Sequence, residues 1–165
     1  MFDLILNTFD EISLNTYPLK EIKKIFNVQL RNNFISNKYK LNLLPGMIIA
    51  GGIVCSELNQ LKTKSNDIDI FMYGDINYEN TLRSFEMTNN ITLDIYNKNY
   101  REYTIWANYK QVQVILRKFK GISNILNGFD LDASQVAIDH KYIYFTNKFL
   151  YSFNNKLNIF NISFK

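Results

Sequence analysis

The sequence predicts an α+β fold with a mixed β-sheet flanked by helices. Three observations predict it. The segments follow the order strand, helix, strand, helix, and then several strands in succession. A short apolar run, Met47 to Ala50, ends at Gly51-Gly52 and leads into a helix-length stretch. After a polar spacer, Asp67-Ile68-Asp69-Ile70 alternates acid with isoleucine, and a strand sorts such alternation into two faces.

Taken in order, Thr16-Tyr17-Pro18 opens a helical segment over about 17–36, with Pro18 suited to the first helical position. Leu19, Ile22, Phe26 and Leu30 recur at helical spacing, while Lys20, Lys23, Lys24 and Arg31 lie mostly off that stripe. Those cations make a solvated face or, alternatively, a nucleic-acid contact. A core of about 45–145 follows. Residues 46–50 form a buried strand, Gly51-Gly52 the turn, and 53–61 the next helix. Residues 62–66 are a polar loop, and 67–73 a strand ended by Gly74-Asp75. The stretch 78–87 reads as a helix with Leu82 and Phe85 inward and Met87 a further inward position. Residues 91–96 read as a strand, and 103–109 with 111–117 as a hairpin. One or two helical turns fit 121–128. A second hairpin joins 131–139 to 142–145 through Asp139-His140-Lys141, which leaves His140 exposed in the turn. The Asn-rich aromatic tail carries no clear pattern.

Composition narrows the function classes. The chain has 165 residues, 47% hydrophobic and 21% charged, which suits one globular domain over 1–165. Its net charge of +4 permits contact with nucleic acid or nucleotide phosphates. One cysteine, Cys55, precludes an intrachain disulfide and points to a reducing, cytoplasmic setting. Cys55 and His140 alone cannot build a Cys/His zinc cluster. Cys55 reads as a small apolar residue in the first helical turn, with a reactive thiol as the alternative. Trp106 and Tyr109 suit hairpin packing or base stacking. Asp3 and Asp10 near the N-terminus do not fit a signal peptide, and no apolar run approaches the roughly 20 residues that cross a bilayer, so no membrane partner is expected.

The aspartates carry the chemistry. On one strand face Asp67 and Asp69 stand roughly 7 Å apart and repel each other unless a cation sits between them. A pair of Mg²⁺ ions holding a triphosphate suits that arrangement.

Strand, Gly-Gly, helix and then Asp-h-Asp on the next strand resembles the nucleotidyltransferase superfamily. That group includes DNA polymerase beta, the CCA-adding enzymes, poly(A) polymerases and small stand-alone transferases. The chain looks like a small viral or phage-type member. Local similarity is greatest to the CCA-adding pattern Gly-Gly-x-Val-Arg-Asp, spacer, Asp-h-Asp, which stands here as Gly51-Gly52-Ile53-Val54-Cys55-Ser56 and Asp67-Ile68-Asp69. Val112-Gln113-Val114-Ile115-Leu116 and Phe129-Asp130-Leu131-Asp132 resemble small viral and phage members less specifically.

The resemblance implies a metal-dependent transfer of NMP from an NTP to a hydroxyl of RNA, protein or a small molecule. Gly51, Gly52 and the helix start would approach the triphosphate, with Ser56 as a further donor and Lys62 and Lys64 screening its charge. Asp67 and Asp69 would coordinate Mg²⁺ or Mn²⁺. The Arg-Asp of the CCA-adding pattern is Cys55-Ser56 here, which puts that specific activity in doubt. Gln113 stands where a third carboxylate is expected; an amide is a neutral ligand and a poor base. Asp130 is the preferred replacement, with Asp132 and Asp94 as further candidates. The chain lacks the large helical domains of tailing polymerases, so a homodimer or partner subunit would complete the acceptor surface. The rival readings are a catalytically inactive nucleotide-binding subunit on the same fold and an unrelated basic nucleic-acid-binding protein.

Overall fold

A computed structural model describes residues 14–28, 41–59, 67–94, 102–107 and 110–156. Among these residues, eight strands form one sheet: β1 (Asn15–Pro18), β2 (Met47–Ala50), β3 (Ile68–Tyr73), β4 (Leu93–Asp94), β5 (Glu102–Ala107), β6 (Lys110–Phe119), β7 (Val136–Ile138) and β8 (Tyr142–Phe145). Their spatial order is β1-β8-β7-β2-β3-β6-β5-β4. The β3–β6 pair is parallel and its neighbours are antiparallel, so the sheet is mixed.

Alternation along β3 sets the two faces. Ile68, Ile70 and Met72 are fully buried, whereas Asp69, Phe71 and Tyr73 are half-buried on the other side. Four helices pack residues into the larger core on the first face: α1 (Ile22–Phe26), α2 (Gly52–Leu58), α3 (Tyr78–Asn89) and α5 (Asn147–Asn154). Phe26 lies at the centre of an aromatic cluster with Phe145, Phe149 and Phe153, at centroid distances of 5.1, 5.9 and 5.0 Å. One short helix, α4 (Ile122–Asn127), covers the second face by setting Ile125 and Leu126 against Ile48, Ala50, Ala137 and Tyr144. Asp69 and Gln113 belong to this more thinly covered face.

Several expectations are corrected. Residues 15–18 are an edge strand paired with β8, not the start of a helix. An edge tolerates Pro18, which lacks a donor for a ladder. A 3-10 turn at Leu19–Glu21 precedes α1, and Asn27 ends α1 in the left-handed region at φ 52°. The expected continuation over 29–36 lies outside the described residues. Met87 is exposed, because two residues beyond the buried Phe85 the helix has rotated about half a turn to its opposite side. Residues 132–134 form a 3-10 turn, which leaves β7 only three residues. Helix α5 has no counterpart in the sequence reading. Thr146 caps it, with Oγ1 accepting from the Phe149 N–H at 3.1 Å. The remaining hairpins and the strand–turn–helix around Gly51 fall where the sequence places them.

Candidate active site

The two glycines have different local geometries. Gly51 adopts φ 93° and ψ −144°, a region that side chains avoid. A Cβ there would also come within 3.0 Å of the Phe129 ring. Its N–H donates to the Val136 carbonyl at 3.0 Å, so it extends the β2–β7 ladder by one bond. Its carbonyl accepts from Val54 and Cys55, both at 3.1 Å, and so starts α2. Gly52 is exposed, and a Cβ on it would meet nothing within 4 Å. The backbone therefore turns sharply at one glycine and presents an unobstructed surface at the next.

Antiparallel pairing of Ile49 with Ile70 brings the end of β2 beside the beginning of β3. Asp67 immediately precedes β3, is exposed, and makes no hydrogen bond or ion pair among the described residues. Asp69 lies inside the strand, half-buried, with its Oδ1 shielded from solvent. Directly across the parallel ladder stands Gln113, also half-buried. The register then runs from Gln113 to Thr104 and from Thr104 to Asp94. Three strand spacings put the Asp94 backbone roughly 14 Å from that of Asp69, too far for both positions to ligate one ion.

The loop after α4 closes the site from the β7 side. Phe129 meets Phe71 edge-on at 5.6 Å and packs over Gly51. Buried Gln135 donates through Nε2 to the Phe129 carbonyl at 3.2 Å, while its Oε1 accepts from Thr146 Oγ1 at 2.8 Å. This polar pair fixes the loop to the cap of α5. Asp130 follows Phe129 and is exposed; Asp132 is half-buried and opens the 3-10 turn that packs on α2. The Asp130–Asp132 segment is thereby brought beside the diglycine turn. Ser56 lies half-buried in the second turn of α2. Lys62 and Lys64 lie outside the described residues. Burial pushes the Cys55 thiol up, opposed by a hydrogen bond from Asn59 at 3.5 Å, so the thiol stays protonated near neutrality and packs as an apolar group.

The donor set suits a hard divalent cation. Two carboxylates and the amide beside them offer oxygen ligands, and Mg²⁺ or Mn²⁺ keeps water in its other positions. Among the described residues, no group of three or more His, Cys, Asp or Glu side chains is arranged to hold a metal. Sequence reading missed Phe129, Gln135 and Thr146. An aromatic beside an acidic pair was visible at Phe129-Asp130, but the Gln135–Thr146 contact is long-range and leaves no periodic trace.

Among the described residues, no helix is long and apolar enough to cross a membrane. Solved structures share this fold. A CCA-adding enzyme in its apo form aligns with a TM-score of 0.61 at 14% identity, over 88% of this chain and 36% of that one. The Thermotoga maritima CCA-adding enzyme complexed with tRNA aligns at 0.58 and 12% identity, again over 88% and 36%. A CCA-adding enzyme with CTP aligns at 0.56 and 14% identity over the same shares. The fold is that of the nucleotidyltransferases. An uncharacterized protein of Acanthamoeba polyphaga mimivirus, R883, is 30% identical over 129 residues, covering 65% of this chain and 28% of that protein. The chain thus spans just over a quarter of this viral relative's length, and such a relative suits a small viral or phage-type member. The model of the Gabija anti-defense 2 family (Gad2) matches residues 20–156, from the 3-10 turn before α1 to the end of α5, and the chain belongs to that family.

Proposed function

We propose that the chain transfers NMP from an NTP to a hydroxyl acceptor in a divalent-metal-dependent reaction, and that this activity serves the anti-defense role named for its family. The observation that carries the reading is the meeting of Asp69, at the start of β3, with the Gly51-Gly52 turn at the end of β2. Asp67 and Asp69 would hold Mg²⁺ or Mn²⁺, with Gln113 as a neutral ligand. The bound cation would offset phosphate charge and acidify the acceptor hydroxyl. The open surface at Gly52 admits the triphosphate to close range. Ser56, Lys62 and Lys64 would act on its phosphate side. Asp130, on the loop that Phe129 anchors, supplies the third negative charge and takes the proton of the attacking hydroxyl. The acceptor oxygen bonds to the α-phosphorus as the α–β bridging bond breaks and pyrophosphate leaves.

Structural neighbours solved with CTP and with tRNA make a nucleotide and an RNA acceptor natural substrates to test; a protein or small-molecule acceptor fits the same chemistry. A homodimer or partner subunit would complete the acceptor surface. One cysteine, which precludes an intrachain disulfide, agrees with a reducing cytoplasm.

The test uses labelled NTPs with Mg²⁺ or Mn²⁺ and mixed RNA and protein acceptors. Incorporation that disappears with EDTA and with Asp69→Asn is the expected result. Absence of Mg-NTP binding, or equal turnover by wild type and Asp69→Ala, overturns the reading. Gln113 favours a second reading, a nucleotide-binding subunit without turnover. Asp69-dependent nucleotide binding without incorporation into any acceptor would select it.

A further inference from the structure

A row of half-buried aromatic rings continues along the second face away from Asp69. Phe129 meets Phe71 at 5.6 Å, Phe71 meets Phe119 at 6.0 Å, and the Arg117 guanidinium lies 5.3 Å from the centre of the Phe119 ring. At the far end a groove of about 540 Å³ opens between the loop after β3 and the turn after β6. Tyr78, Lys118, Phe119 and Lys120 line it together with Gly74 and Asp75. Lys118 Nζ sits 5.7 Å from the Tyr78 ring centre, which holds that ammonium at the groove. Arg117, Lys118 and Lys120 are exposed and make no ion pair among the described residues. Asp75 is the single acid on the lining, so cations outnumber it.

We propose that this groove grips the phosphates of a single-stranded nucleic acid, and that the strand follows the aromatic row so that its end reaches Asp69. Charge complementarity selects the occupant: two lysines and two rings line a volume of nucleotide size, with Arg117 beside the Phe119 ring. Geometry supplies the path. Strands β3 and β6 run parallel, Asp69 to Gly74 is five residues, and an irregularity in the ladder sets Tyr73 beside Phe119 at the groove. Five residues of strand span roughly 16 Å, about five stacked nucleotides. The destination of the strand rests on the nucleotidyltransferase reading; the groove itself does not.

Fluorescence anisotropy tests it with a labelled twelve-nucleotide RNA, the matching DNA, and a labelled poly-glutamate peptide. In wild type both oligonucleotides bind, salt weakens them, and EDTA leaves binding intact. Lys118→Glu/Lys120→Glu raises Kd at least tenfold and lowers the salt slope by about 0.7 for each lysine removed. Lys118→Gln/Lys120→Gln gives the same direction if charge reversal perturbs folding, which thermal unfolding monitors. No oligonucleotide binding by wild type, unchanged Kd and slope in both variants, or equal binding of poly-glutamate overturns the groove. Incorporation into protein or small molecules without oligonucleotide binding overturns the groove and spares the transferase reading. Intact oligonucleotide binding with no incorporation anywhere does the reverse.

Discussion

The two ends of the sheet set their carboxylates in different surroundings. At the β7–β8 turn, Asp139 is saturated by the fold. Its Oδ1 accepts from the N–H groups of Lys141 and Tyr142, and its Oδ2 from the Tyr144 hydroxyl, all at 2.8 Å. At the β2–β3 end, Asp67 is exposed and makes no such bond among the described residues, and Asp69 stands across the ladder from an amide. A carboxylate whose oxygens are filled by three donors organises a turn. Asp67, exposed just before β3, has no such donors among the described residues. The number of protein donors that reach an acid differs between these two ends, and the proposed chemistry of Asp67 and Asp69 can be tested against the structural role of Asp139.

The largest expected effect separates those cases directly. Asp69→Asn should lower nucleotide incorporation by on the order of 100-fold or more, since the lost charge stabilisation amounts to several kcal/mol. Its thermal midpoint should stay within a few degrees of wild type. Asp139→Asn should do the opposite, costing about 1–3 kcal/mol of stability through poorly matched donors while the folded fraction stays active. Incorporation assays and thermal unfolding on both variants decide it. An unfolded Asp69→Asn, or an inactive but stable Asp139→Asn, breaks the comparison.

The glycines sharpen it within a single turn. Gly51→Ala forces a side chain to φ 93° and against Phe129 at 3.0 Å, so it should lose about 1–3 kcal/mol in urea unfolding. Gly52→Ala meets no atom within 4 Å and occupies the first residue of α2, so stability should hold or rise by up to about 1 kcal/mol. Its effect should appear instead as a raised KM for the NTP, because a methyl group would stand where the phosphates approach. Equal destabilisation by both substitutions would show that both glycines serve the fold.

The same division explains how much the sequence made legible. The diglycine turn, the alternating acids and the hairpins rest on local rules of period and backbone freedom, and those elements appear where expected. Gln113, expected from the resemblance to stand at the third-carboxylate position, lies opposite Asp69 on the parallel strand β6. What failed was set by distant partners. Pro18 joins an edge because β8, more than 120 residues later, offers one. Residues 132–134 coil instead of extending because Gln135 is drawn toward Thr146, and that contact also cements the loop carrying Asp130. Met87 faces water because the core stripe of α3 follows Phe85 rather than simple hydrophobicity.

The smallest expected effect probes the saturated end alone. Burial pushes the Tyr144 hydroxyl well above its ordinary value, and its hydrogen bond to Asp139 and the nearby charge add to that; Tyr73 is raised by burial and by Asp139 in turn. Unfolding returns Tyr144 to an ordinary value near 10, so the unfolded chain releases this proton at lower pH than the folded one. The stabilisation is therefore fully present below about pH 10 and is lost as pH rises beyond it. Tyr144→Phe should be less stable than wild type by about 1 kcal/mol at pH 8. The gap should narrow steadily toward pH 11 because the variant lacks the titrating group. Urea midpoints measured across that range test the sign, and a gap that stays constant would mean that Asp139 does not hold the phenol in its neutral form. Since this turn lies outside the proposed site, the same variant should keep the wild-type dependence of nucleotide transfer on metal concentration.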